Sequence, residues 1–315
     1  EWIFPMTLQT HLLAKAANQA RGLAIDAVHA CSSGHLGLPL GAAEIGAVLY
    51  GHALVHNPAR PRWLNRDRFI LSAGHGSMFL YCLLHLSGYD VTMEDLKQFR
   101  QFESRTPGHP EFGVTAGVET TTGPLGQGVA AATGMALARK WLAARFGREL
   151  FDSKVWALAG DGDIMEGISS EVGSLAGHLK LDNLILIYDS NDISLDGPTS
   201  ENLSEDTAKR HEAYGWRVLK IDGHDFAQID KAFTEARNEK ERPTFILART
   251  VIGKGSPNKQ GSNAAHGSPL GADEVALTKK NLGWPDEPFF VPREVYDCFK
   301  SLQPTFEGYE KEWNA

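Results

Sequence analysis

A chain of 315 residues with 42% hydrophobic and 22% charged side chains has the make-up of an ordinary globular protein, long enough for one large domain or two small ones. Its formal charge of -8 speaks against nucleic acid as the main partner but leaves room for a small anion held locally. Three cysteines without paired spacing, Cys31, Cys82 and Cys298, exclude a disulfide framework or zinc ribbon and fit a reduced, cytoplasmic compartment. No apolar run approaches membrane-spanning length, and the first residues lack the basic-then-apolar order of a secretory signal.

From Leu8 to Ala30 the apolar residues Leu12, Ala16, Ala20, Leu23, Ala27 and Ala30 recur every three or four positions, which predicts a helix. It should stop at Ser32-Ser33-Gly34-His35-Leu36-Gly37, a turn that carries a histidine, with a second helix over about Gly41 to Tyr50. The stiff linker beyond it holds Arg60, Arg62, Arg66 and Arg68, a pattern read as a solvated, salt-bridged face rather than an anion site. Arg68 to Ser72 reads as a strand that delivers His75, between glycines, to a strand-to-helix turn. Thr106 to Pro110 places His109 in a segment too rich in Pro and Gly for a regular element.

Thr120 to Gly128 is a glycine-rich loop placed before an alanine-rich helix, Val129 to Ala144. Backbone N–H groups at such a helix start favour phosphate, although close helix packing would call for the same glycines. The spacing is neither that of a Rossmann loop nor that of a Walker loop.

The stretch from Val155 to Ile193 reads as a strand, the turn Gly160-Asp161-Gly162, a helix from Met165 to His178, and a second strand ending at Asp189-Ser190-Asn191. Parallel strands bring their C-terminal ends to one sheet edge, so Asp161 and Asn191 should meet there as oxygen donors for a hard divalent cation. The alternative for Asp161 is a turn aspartate capping the next helix. Glu166 and Glu171 lie five apart and so on different faces; both read as solvent-exposed, with Glu166 the better candidate for function because it opens the helix. Two further strands, Trp216 to Ile221 and Thr244 to Ala248, flank a helix from Phe226 to Ala236. The expected fold is therefore α/β, a doubly wound parallel sheet flanked by helices. Gly253 to Gly271 is a long loop with His266, and a loop of that length in a compact domain is usually functional or disordered.

His35, His75, His109 and His266 all fall in Gly/Ser/Pro loops, where they can donate, accept and change protonation near neutral pH. Their spacing matches no zinc-ligand pattern.

Taken together, these segments resemble the N-terminal diphosphate-binding domain of the transketolase family. The resemblance rests on SGHLGLPLG, LSAGHGSM, TPGHPE, TAGVETTTGPLGQG, GDGDIMEGISSE, DSNDISLDG, IDGHD, IGKGSPNK and HGSPLG, and it covers nearly the whole chain. It implies a thiamine diphosphate fold in which Asp161, Asn191 and the Ile193 carbonyl hold Mg²⁺ or Ca²⁺ with the diphosphate. It further implies that Gly123, Leu125, Gly162, His75, His266 and Asn191 contact the cofactor. His35, His109 and His266 would face the sugars and assist proton transfers. Glu166, with Glu171 nearby, would belong to a carboxylate network between subunits, and would count among both the catalytic and the cofactor-binding residues.

The implied activity is transfer of a two-carbon ketol unit from a ketose phosphate to an aldose phosphate. The resemblance also makes residues 1–315 a single diphosphate-binding domain, its last ~30 residues a C-terminal extension. The pyrimidine-binding and C-terminal domains, with the ring-activating glutamate, would lie on a partner subunit or on the remainder of a longer chain, in a homodimer or heterotetramer. The alternatives are a non-catalytic scaffold module or another thiamine diphosphate enzyme, such as a deoxyxylulose-phosphate synthase. Leu36, Leu38 and Asp192 depart from the Pro, Ala and Gly common in the family, and Asp192 adds a negative charge beside the implied cation.

Overall fold

The computed structural model describes residues 8–285 and 287–315. Residues 1–7, on which the reading about a secretory signal falls, lie outside them. Five strands, β1 (Arg68–Leu71), β2 (Val155–Gly160), β3 (Leu184–Ser190), β4 (Arg217–Asp222) and β5 (Thr244–Arg249), form one sheet in the order β1-β2-β3-β5-β4. Every pairing is parallel, with Gly160 beside Asp189 and Ser190 beside Arg249 at the C-terminal edge. The expected doubly wound α/β architecture is what the chain forms.

The helices are α1 (Thr10–Cys31), α2 (Gly37–Gly41), α3 (Ala43–Val48), α4 (Ser77–Ser87), α5 (Met93–Lys97), α6 (Gln127–Phe146), α7 (Asp161–Met165), α8 (Gly167–His178), α9 (Thr207–Ala213), α10 (Phe226–Asn238), α11 (Ala272–Asn281), α12 (Arg293–Lys300) and α13 (Gln303–Asn314). Strand alternation splits the core in two. Phe69, Leu71, Trp156, Leu158, Ile185, Ile187 and Ile246 pack on one face with α1, α3, α4 and α10. Ile70, Val155, Ala157, Leu184, Leu186 and Phe245 pack on the other, with α6, α8 and Trp216. Successive side chains of a strand point to opposite faces, so a sheet covered on both sides needs the unbroken apolar runs seen in β2 and β3. Trp156 is fully buried, and burying a large apolar side chain is worth about 1.5–3 kcal/mol.

Three boundaries differ from the sequence pattern. The chain re-enters helix at Gly37 rather than Gly41, because Pro39 falls in the first turn of α2, where its missing N–H costs nothing. The helix expected from Met165 to His178 is two, broken at Glu166, whose ψ of 140° is extended. A wide turn, Leu49–Ala53, closes α3 where a regular helix to Tyr50 was expected. Arg66 and Arg68 pair with Glu119 and Arg60 with Glu310, so the arginines are salt-bridged as expected. Only Arg60 of these stands in solvent, however; Arg66 and Arg68 are largely buried rather than on a solvated face. Among the described residues no helix is long and apolar enough to cross a membrane.

Candidate functional site

Because all five strands run parallel, the residues that follow them collect at one edge. A cavity of about 430 Å³ opens there, lined among others by His35, His75, Gly123, Leu125, Asp161, Gly162, Asp189, Asn191, Ile193 and His266.

Asp161 follows β2, and Asn191 follows β3. They do meet: the Asn191 backbone N–H donates to Asp161 Oδ2 at 3.2 Å, and the Tyr188 hydroxyl donates to Oδ1 at 2.7 Å. The capping role allowed for Asp161 is taken instead by Asp163. Its Oδ2 accepts from the Gly160 N–H at 3.0 Å, and its Oδ1 accepts from Ser72 Oγ at 2.7 Å and the Gly126 N–H at 2.8 Å. The side chain of Asn191 folds back so that its Oδ1 accepts the Ile193 N–H at 3.1 Å.

Burial raises Asp161 to about 6, with the Asp192 charge adding to it and hydrogen bonds from Tyr188 and Asn191 opposing. Asp189 is raised to about 7 by burial, against a hydrogen bond from Thr250, and the Asp161 charge adds to the rise. Two buried carboxylates therefore stand close together with hydroxyl and amide donors but no cationic side chain in contact, a situation a divalent cation relieves.

The glycine-rich loop does both things its composition allowed. A Cβ on Gly128 would lie 2.4 Å from Ser72 Cα, so α6 could not sit this close to the end of β1 with a larger residue. Gly123 and Leu125, by contrast, line the cavity, and a Cβ on Gly162 would come within 2.9 Å of Leu125 Cδ1. Gly126 starts α6 at φ 80°, in the left-handed region that glycine adopts without penalty.

Three histidines cluster. The His75 and His266 rings stack with centroids 5.1 Å apart, and His35 lies 5.2 Å from His75. Arg100 Nη2 approaches His35 Nδ1 at 3.3 Å. Arginine can only donate, so Nδ1 accepts and the His35 proton sits on Nε2. Burial lowers His75 to about 3, with His266 and His35 adding; burial and then Arg100 lower His35 to about 4. Burial also lowers His266, and lowers His109 with Arg100 adding, so the group is uncharged at neutral pH. The Nδ1 atom of His266 is buried without a hydrogen-bond partner among the described residues.

His109 is outside the cavity wall, exposed, with its ring against Gly123: a Cβ on that glycine would be 3.4 Å from it. Glu166 and Glu171 are both exposed, and Glu166 caps α8 without lining the cavity. Sequence reasoning missed Asp163, Asp189 and Arg100. The first two looked like turn and strand-end residues, and the adjacency of two glycyl N–H donors and a serine hydroxyl, or of a second carboxylate, is visible only once strands are paired.

Among the described residues no group of three or more His, Cys, Asp or Glu is arranged to hold a metal. The edge instead offers the Asp161 carboxylate and the Asn191 amide, with Ile193 also on the cavity wall, and hard oxygens of this kind suit Mg²⁺ or Ca²⁺ better than zinc. With the orphaned His266 nitrogen and the glycine-lined floor, the residues present fit a metal-bound diphosphate cofactor.

A doubly wound sheet with its polar residues gathered outside the carboxyl ends of the strands defines the class of α/β proteins that bind cofactors at that edge. Residues 13–315 match the family described as "Transketolase, thiamine diphosphate binding domain", and the chain belongs to that family. It is 54% identical to the transketolase of Geobacillus stearothermophilus over 305 residues, 95% of this chain and 46% of that one. It is also 54% identical to transketolase 1 of Escherichia coli K12, over 95% of this chain and 45% of that protein. The crystal structure of Campylobacter jejuni transketolase superposes with a TM-score of 0.94 at 47% identity, covering 98% of this chain and 48% of its own. The Pichia stipitis transketolase complex with sedoheptulose 7-phosphate gives 0.93 at 43% identity, covering 96% and 45%. The chain thus spans about half the length of the relatives it matches.

Proposed function

We propose that this chain is the diphosphate-binding domain of a cytoplasmic transketolase, and that it acts with a pyrimidine-binding polypeptide, on a partner subunit or on the remainder of a longer chain, in a homodimer or heterotetramer. The reaction would move a two-carbon ketol unit from a ketose phosphate to an aldose phosphate. The observation that carries this is the convergence of Asp161, Asn191, the glycine-rich loop and three histidines on one cavity in a chain of this family.

Bound thiamine diphosphate supplies the electron sink that lets a carbon–carbon bond beside a ketose carbonyl break and reform. Asp161, Asn191 and the Ile193 carbonyl would hold Mg²⁺ or Ca²⁺ and, through it, the diphosphate. Gly123 and Gly162 keep side chains off the floor so that a phosphate can lie against backbone, with the Leu125 side chain beside Gly162. His75 and His266 would contact the cofactor. His35, His109 and His266 would face the sugars. Because burial keeps His35, His75 and His266 uncharged, each offers one ring nitrogen as acceptor and one N–H as donor near pH 7, rather than changing protonation there as the sequence suggested. Apolar walls at Leu38 and Ile252 limit water access to the cavity. Glu166, exposed on this chain, would act only at a subunit contact.

Calorimetric titration with thiamine diphosphate and Mg²⁺, with and without the pyrimidine-binding partner, tests the reading. Heat is expected and should grow with the partner present. No heat under either condition would favour a scaffold module instead. Ketol transfer from xylulose 5-phosphate should require the partner, and full activity of the chain alone, with mass spectrometry excluding a second polypeptide, would overturn that part.

A further inference from the structure

We propose that Asp192 and Arg249 form a positioning clasp on the turn that carries Asn191 and Ile193, an inference that rests on the proposed cation site. Asp192 sits between those two residues at φ 63°, a left-handed conformation that side chains rarely adopt and that Asn and Asp tolerate best. Its two carboxylate oxygens take both arms of the Arg249 fork, Nη1 to Oδ1 at 2.6 Å and Nη2 to Oδ2 at 2.6 Å. Arg249 Nη1 also reaches Ser190 Oγ at 3.2 Å.

Arg249 is the last residue of β5 and is paired in register with Ser190, the last of β3. The fork therefore ties the turn beyond β3 to a rigid neighbouring strand. On the other side of the turn, the Thr199 N–H donates to the Asp192 carbonyl at 2.9 Å, and Ile193 bridges to Pro198. Both side chains of the pair are more than half exposed, so the contribution lies in fork geometry rather than in burial. The same pairing also disposes of a charge. A free carboxylate next to Asn191 would compete as a further cation ligand, and Arg249 holds it in a neutral pair instead.

The test uses the native assembly in two states. In the metal-free state, amide exchange at Ile193, Ser194 and Thr199 should quicken about fivefold in Asp192→Asn and in Arg249→Met, since asparagine keeps the backbone conformation while losing the charged fork. Exchange that is unchanged, or faster equally in the β3 amides of Ile185 to Tyr188, would overturn the clasp.

In the second state, Mn²⁺ uptake is followed by electron paramagnetic resonance. Asp192→Asn leaves Arg249 unpaired beside the cation and should weaken uptake about tenfold at low salt, at an unchanged melting temperature. Adding Arg249→Met to it should restore part of the loss, a recovery that a merely structural role would not produce. Equal affinity in wild type and Asp192→Asn would overturn the link to the cation. A wild type that takes up no Mn²⁺ but keeps the exchange difference would remove the cation site and leave the clasp standing.

Discussion

The two ends of the same sheet carry buried charge in opposite ways. Before β1, Asp67 accepts from the Val55 N–H at 3.0 Å, the Lys154 N–H at 2.8 Å and Trp156 Nε1 at 3.3 Å, and pairs with Arg237. Nearby, Lys154 Nζ reaches the carbonyls of Asp182 and Glu239 at 2.8 and 3.1 Å. At the far end, Asp161 and Asp189 are as deeply buried as Asp67 but have no cationic side chain in contact. The first arrangement is complete and serves packing. The second is left incomplete, which is what a site for an incoming cation requires.

The difference can be broken at either end. Asp67→Ala strips the carboxylate from Arg237 and leaves three N–H donors unmatched. It should cost about 3–5 kcal/mol in urea unfolding while leaving binding stoichiometry unchanged in whatever fraction folds. Asp161→Asn should do the reverse, with cofactor and cation affinity falling about a hundredfold by calorimetry. Its melting temperature should hold or rise, because a buried charge is removed and the Tyr188 hydroxyl still finds an acceptor. A loss of stability comparable with that of Asp67→Ala would erase the distinction between the two ends.

Much of this contrast is visible before any folding. Asp161 and Asn191 announce the edge because each follows an apolar run that can only be a buried strand, and parallel pairing then fixes where both must lie. Asp67 gives no such signal. It reads as one acid in a basic linker, and its donors come from residues 55, 154, 156 and 237, which share no local pattern. The break at Glu166 was likewise hidden, since the helical period runs on through it. Arg100 was overlooked because its loop has no period at all, and its contact with His35 spans 65 residues.

The histidines sharpen the comparison further. His56 and His211, both away from the cavity, are pushed down by burial to about 4. The unfolded chain takes up their protons near 6.5, whereas the folded chain does so only near 4, so stability is whole above pH 6.5 and falls as pH drops towards 4. At pH 5 the loss should reach about 2 kcal/mol per histidine, from 1.36 kcal/mol per pH unit. Urea midpoints at pH 7 and pH 5 check this, and His56→Gln should flatten the acid limb. The smallest effect expected is that of Glu166→Gln, which should shift stability by less than about 0.5 kcal/mol, as for exposed positions generally. A larger shift in thermal unfolding would mean that Glu166 packs into this chain rather than awaiting a partner.

Asp163 has one more consequence. Its carboxylate joins the end of β1 through Ser72, the glycine-rich loop through Gly126, and the end of β2 through Gly160. Those three segments therefore shift as a unit, and displacement of any one is felt by the others. Lesions in the loop ahead of α6 will register as altered cation affinity, although no atom of that loop belongs to the coordination sphere proposed here. A survey of damaging substitutions would thus map a footprint larger than the proposed cation ligands, with Asp163, on the wall of the same cavity, at its centre.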